Sequence, residues 1–164
     1  MQIRYKEFIC YAQFAICDTL GKRSQAVAVR TLIVEDSIPV RDLLKLRLTE
    51  IGCAVVGEAA DASEGLKLIR KLRPQLVSLD LVLPLVDEID ALTLFRTIRN
   101  ESPQIKFIVV SAAPRATERA NFIREGALEY FQKPFFNFQT LVDKLAQFFP
   151  EIRKSRPRDR GRRL

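Results

Sequence analysis

From Arg30 to Phe149 the chain alternates between two patterns of apolar and polar positions. The runs TLIVED (31–36), CAVVGEA (53–59), QLVSLD (75–80), KFIVVS (106–111) and ALEYF (127–131) are short and apolar, as expected of strands buried on both faces. Between them lie amphipathic segments with helix punctuation at their ends. The first is predicted over about 38–51, with Asp36 and Ser37 as candidate caps, Pro39 in the first turn and Gly52 as the stop. The second follows Asp61, which precedes Glu64 in a capping pattern, and ends before Pro74. The third spans about Asp90 to Asn100, the fourth about Pro114 to Glu125 with Gly126 behind it, and the fifth about Phe138 to Phe149. Five strands alternating with five helices predict an α/β fold, a parallel sheet covered on both faces. Ligands of such sheets bind beyond the carboxyl ends of the strands.

That rule makes the strand ends the place to look for chemistry. Glu35 and Asp36 close the first strand, Asp80 the third and Ser111 the fourth, while FQKPF after the fifth supplies Lys133. Adjacent acids raise each other's pKa unless something positive is near, so either Asp36 caps the next helix or the pair waits for a cation. Three clustered carboxylates are hard oxygen ligands, suited to Mg²⁺ and poorly to zinc. One of them would remain free as a nucleophile, and a carboxylate that attacks phosphorus forms an acyl phosphate. Lys133 and Ser111 have the chemistry to neutralise and bind the phosphoryl oxygens. Taken singly, each residue has an ordinary role: a cap, a turn residue or a solvated charge. Their convergence at consecutive strand ends is the signal.

Composition narrows the field. A chain of 164 residues with 48% hydrophobic and 29% charged residues suits one soluble domain with a real core. No apolar run approaches the roughly 20 residues that span a bilayer. FICYAQFAIC (8–17) is bounded by Glu7 and Asp18 and reads as a short amphipathic extension rather than a signal-peptide core. Histidine is absent, which removes Ser-His and Cys-His nucleophiles and histidine metal sites. Cys10, Cys17 and Cys53 match neither a disulfide framework nor a metal spacing, so the cytoplasm is the default compartment. Cys53 reads as a small core residue. The net charge of +7 resides in the ends: +3 in residues 1–30, −1 in 31–149 and +5 in 150–164. The last segment, EIRKSRPRDRGRRL, reads as a disordered, solvated tail rather than a nucleic-acid contact.

The motifs LIVEDS, SLDLVLP, VVSAAP and YFQKPF resemble, in order and spacing, the receiver domain of two-component response regulators. The resemblance covers about Arg30 to Phe149, leaving 1–29 as an extension outside the core and 150–164 as a tail. It implies a flavodoxin-like doubly wound sandwich, its five-stranded parallel sheet in the order 2-1-3-4-5 with five helices. It implies that Asp80 accepts phosphate from the phosphohistidine of a sensor histidine kinase or histidine phosphotransfer protein. Glu35, Asp36, Asp80 and the backbone carbonyl of Val82 would hold Mg²⁺; Ser111 and Lys133 would bind the phosphoryl group. Ser111 and Tyr130 match the family's switch residues, and Ala112 is small as in the family. The expected protein is a stand-alone cytoplasmic switch, without membrane insertion, that signals through a partner protein and catalyses only its own phosphorylation and dephosphorylation.

One segment departs from the family. The usual Asp-Gly pair seven and eight residues past the phosphoacceptor aligns with Asp87-Glu88, or with Asp90-Ala91 across a longer loop. Either way the glycine is missing, and a turn that normally needs positive φ has been rebuilt. Three rivals have weaker support. A haloacid-dehalogenase-like phosphatase wants a second Asp where Val82 stands. A flavodoxin-like FMN binder wants a Ser/Thr/Gly loop where EDSIPV stands. A receiver that signals without phosphorylation has no need of Asp80, Ser111 and Lys133 together.

Overall fold

A computed structural model of the chain describes residues 28–112, 116–133, 138–150 and 152. Cys10, Cys17, the rest of the N-terminal extension up to residue 27, Ala113, Pro134 and residues 153–164 of the tail lie outside the described residues. The elements run β1 (Val29–Val34), α1 (Ile38–Glu50), β2 (Cys53–Ala59), α2 (Ala62–Leu72), β3 (Leu76–Leu79), α3 (Ala91–Glu101), β4 (Lys106–Ser111), α4 (Ala116–Arg124), β5 (Glu129–Gln132) and α5 (Phe138–Phe148). The sheet is parallel throughout, in the order β2-β1-β3-β4-β5. This is the flavodoxin-like sandwich that the motifs implied.

The continuous apolar runs are explained by two cores. Leu32, Val34, Val77, Leu79, Phe107 and Val109 face one side and pack with Leu66, Ile69, Leu94, Phe95 and Ile98 of α2 and α3. Val29, Ile33, Leu76, Ile108 and Val110 face the other and pack with Leu44 and Leu48 of α1 and Leu141 and Leu145 of α5. Successive strand residues point to opposite faces, so both must be apolar. Cys53 is buried in the second core, where burial pushes its thiol up to about 11 against a weaker opposing bond with Thr31.

Packing exceeds the expected limits at both ends. Val29 is buried inside β1, in a segment expected to lie outside the core. Ile152 is 1% exposed and belongs to the α1/α5 core, three residues beyond the expected boundary at Phe149. None of the described helices is long and apolar enough to cross a membrane.

The caps explain how the helices start and stop. Asp61 accepts the Glu64 N–H at 2.8 Å, and Asp90 accepts the Thr93 N–H at 2.7 Å. Ser37 is the N-cap residue of α1, yet its side chain makes no capping bond. Gly126, at φ 104°, ends α4: its N–H donates to the Ile123 carbonyl and that of Ala127 to Phe122, a Schellman arrangement.

Candidate functional site

The central strands β1 and β3 pair in register from Thr31↔Leu76 to Val34↔Leu79, so both end at one rim. Beyond them, the Asp80 N–H donates to the Val34 carbonyl at 2.9 Å and the Glu35 N–H to Ala59 at 3.0 Å. The acids are thus carried on backbone that still belongs to the sheet. One carboxylate oxygen from each of Glu35, Asp36 and Asp80 lies within 4.8 Å of the others. Glu35 is 1% exposed and Asp80 4%, whereas Asp36 is open to solvent.

Lys133 is the counter-charge. Its N–H donates to the Ser111 carbonyl at 2.8 Å, fixing it beside the end of β4. Its Nζ stands 2.7 Å from Asp80 Oδ2, and 2.9 and 2.7 Å from the two oxygens of Glu35. Burial works against the Lys133 ammonium, but its bonds to Asp80 and Glu35 outweigh that and raise its pKa. Glu35 is also raised: burial is the main cause and the Asp80 charge adds to it, against Lys133 and the Ser37 N–H. Three carboxylates thus gather at the rim where Lys133 supplies one ammonium. Hard oxygen donors with surplus negative charge fit Mg²⁺.

Of the remaining predicted residues, Val82 is bonded to Asp80 through its N–H and Ser111 to Lys133 through its carbonyl. Ser111 is buried at the end of β4. Tyr130 is buried in β5, paired in register with Val109 and packed in the α2/α3 core. Val82 turns its side chain outward, 65% exposed, while its N–H donates to Asp80 Oδ1 at 3.1 Å. Ala112 is exposed.

The rebuilt loop has a definite shape. Asp87 and Glu88 have φ of 52° and 60°, and the Ile89 N–H donates to the Val86 carbonyl at 2.9 Å, closing a tight turn of the I′ kind. Asp90 caps α3, so the longer-loop alignment describes the helix start. Left-handed backbone costs a non-glycine residue roughly 1–2 kcal/mol. Asp87 offsets this by tying the turn to α2: it accepts from the Ser63 hydroxyl at 2.5 Å and from Lys67 at 3.4 Å. Those two bonds hold its carboxyl below the usual range.

Sequence reasoning missed two other groups. Arg41 in α1 reaches back to the Glu35 carbonyl at 2.6 Å and lies 3.4 Å from Glu58 of β2. Its sequence signal was faint: a cation in the first turns of a helix runs against the helix dipole. Glu129, 8% exposed at the start of β5, accepts from Arg119 at 3.1 Å and from the Tyr130 N–H at 3.0 Å, with Lys144 3.3 Å away. Its signal was a charge inside an apolar run.

Comparison with known proteins points the same way. A family model described as the response regulator receiver domain matches residues 31–146. The chemotaxis protein CheY of Thermotoga maritima is 34% identical over 106 residues, which cover 65% of this chain and 86% of that one. The probable C4-dicarboxylate response regulator DctR of Bacillus subtilis is 35% identical over 107 residues, 65% of this chain but only 46% of the relative. Among solved structures, a CheY-like response regulator receiver domain protein from Methanospirillum hungatei superposes with a TM-score of 0.64 at 27% identity, covering 79% of this chain and 99% of that one. A chain of the CheX-CheY-BeF3-Mg²⁺ complex from Borrelia burgdorferi has the same fold, with a TM-score of 0.65 at 22% identity over 73% of this chain and 88% of that one. The chain belongs to the response regulator receiver domain family.

Proposed function

We propose that this receiver is a phosphorylation-controlled signalling switch in which Asp80 takes a phosphoryl group from the phosphohistidine of a sensor histidine kinase or histidine phosphotransfer protein. The observation that carries the reading is the joint position of Lys133, 2.7 Å from Asp80 Oδ2, and of the acids Glu35 and Asp36 on the same rim. An Asp80 carboxylate oxygen attacks phosphorus. The phosphorus–nitrogen bond breaks, and its electron pair leaves on the donor's ring nitrogen, which is protonated. Lys133 then shifts from the carboxylate to a phosphoryl oxygen, and the Ser111 hydroxyl donates to another. Glu35, Asp36, Asp80 and the Val82 carbonyl would hold Mg²⁺, which when bound neutralises the acids and the incoming phosphoryl charge. Ser111 and Tyr130 relay the change to the surface that a downstream partner protein reads.

The test uses a small phosphoryl donor. Incubation with acetyl phosphate and Mg²⁺ should add one phosphoryl group by intact mass, and EDTA or Asp80→Ala should abolish it. Labelling that survives in the alanine variant, or that ignores EDTA, sinks the assignment.

A further inference from the structure

We propose that Arg41 is a positioning residue for the acidic site, holding the turn that carries Glu35 and Asp36 in the geometry that binds a divalent cation. This rests on the reading of that site as a Mg²⁺-dependent phosphoacceptor. The turn between β1 and α1 is short and bears both acids, and no side-chain cap closes the start of the helix. Ser37 makes no capping bond, and no acidic residue occupies the first turn of the helix.

Arg41 supplies the missing tie from the other side. Its backbone N–H donates to the Ser37 carbonyl at 2.9 Å, so the residue is anchored in the first helical hydrogen bond. Its guanidinium folds back to donate to the Glu35 carbonyl at 2.6 Å. That carbonyl belongs to the peptide joining Glu35 to Asp36, so the bond sets the plane from which both side chains spring. The far side of the guanidinium is held 3.4 Å from Glu58, which also binds Lys45 at 2.5 Å. Glu58 lies in β2 opposite Ile33, in the ladder that continues to Glu35 N–H and the Ala59 carbonyl. One planar side chain thus clamps the turn, the helix and the neighbouring strand.

The position makes little sense as helix stabilisation. A cation near a helix N-terminus is unfavourable for the dipole, and this one lies mostly covered, its side chain 16% exposed. A fork of several N–H donors explains the choice of arginine, because one group must serve a carbonyl and a carboxylate together. Groups that orient metal ligands without touching the metal typically change affinity about 10–100-fold when removed.

The experiment is a calorimetric titration of the phosphate-free full chain with Mg²⁺, beside thermal unfolding of each variant without the ion. Arg41→Ala should remain folded and bind Mg²⁺ about tenfold more weakly. Arg41→Lys, which keeps one donor but not the fork, should recover only part of that loss. Glu58→Gln, which leaves the carbonyl bond in place, should lose less than Arg41→Ala. Unchanged affinity in Arg41→Ala overturns the proposal. So does tighter binding, which would make Arg41 a competing charge. If the alanine variant unfolds, the lysine variant decides: Mg²⁺ binding clearly weaker than wild type with its fold intact supports the proposal, and binding equal to wild type or tighter overturns it. Phosphorylation that persists in Asp80→Ala would defeat the phosphoacceptor reading while leaving this titration interpretable.

Discussion

Val82 stands two residues beyond Asp80 with its side chain at the open rim, 65% exposed. Hydrolysis of an acyl phosphate needs a water in line with the phosphorus–oxygen bond. In the receiver family, residues two beyond the phosphoacceptor and two beyond the hydroxyl residue flank that approach; here they are Val82 and Ala113, the latter outside the described residues. Neither side chain can hydrogen-bond a water, and valine adds bulk. Phosphorylated Asp80 should therefore be long-lived, and Val82→Asn should lose phosphate several-fold faster when dephosphorylation of the two proteins is followed side by side. An asparagine variant no faster than wild type would move suspicion to the turn at Asp87 and Glu88. At this scale the sequence was most informative where chemistry is unusual for its place: adjacent acids after an apolar run, a lone serine and a lysine at strand ends. It said little about Arg41 and Glu129, whose roles depend on partners brought from other elements. An arginine in an amphipathic segment is ordinarily a solvated charge, and only the approach to the Glu35 carbonyl distinguishes this one.

Element ends were less legible than element centres, for reasons that differ from case to case. β1 begins at Val29 rather than Thr31, because Val29 pairs with Cys53 and fills the α1/α5 core. β5 starts at Glu129 rather than Ala127, because Ala127 is spent in the Schellman ending of α4. Its apolar side chain marks burial, not strand. The start of β5 also carries an electrostatic clasp. Burial pushes the Glu129 carboxyl up, but the Tyr130 N–H, Arg119 from α4 and Lys144 from α5 outweigh it, so its net pKa is lowered. A carboxylate depressed on folding stabilises the folded state above its unfolded pKa, and that contribution is lost as pH falls through the folded value. Glu129→Gln should thus cost about 1–2 kcal/mol at neutral pH, discounted because Arg119 and Lys144 are well exposed. The gap between variant and wild type should close in acid, below the ordinary glutamate range. Urea unfolding at both pH values checks this; a gap independent of pH would mean that Glu129 acts through packing alone.

At the scale of the whole molecule, the parallel alternation of strands and helices was readable because burial on both faces demands continuous apolar strands. The limits of the packed chain were not, because Ile152 is a single apolar residue in a run of charges. Its burial in the α1/α5 core gives it the weight of a core residue. Ile152→Ala in the full chain should cost about 2–4 kcal/mol, measured by chemical denaturation, where a solvated tail residue would cost almost nothing. The topology also orders events while the chain is being made. β1, β2 and β3 with their three acids precede residue 81, whereas Lys133 follows Asp80 by 53 positions and Glu35 by 98. A ribosome delivers the N-terminal strands first, so the negative half of the centre emerges before its ammonium has been translated. Until then the ammonium that binds both Asp80 and Glu35 is missing from the growing chain. Lys133 arrives as the latch that fastens the last strand to the first.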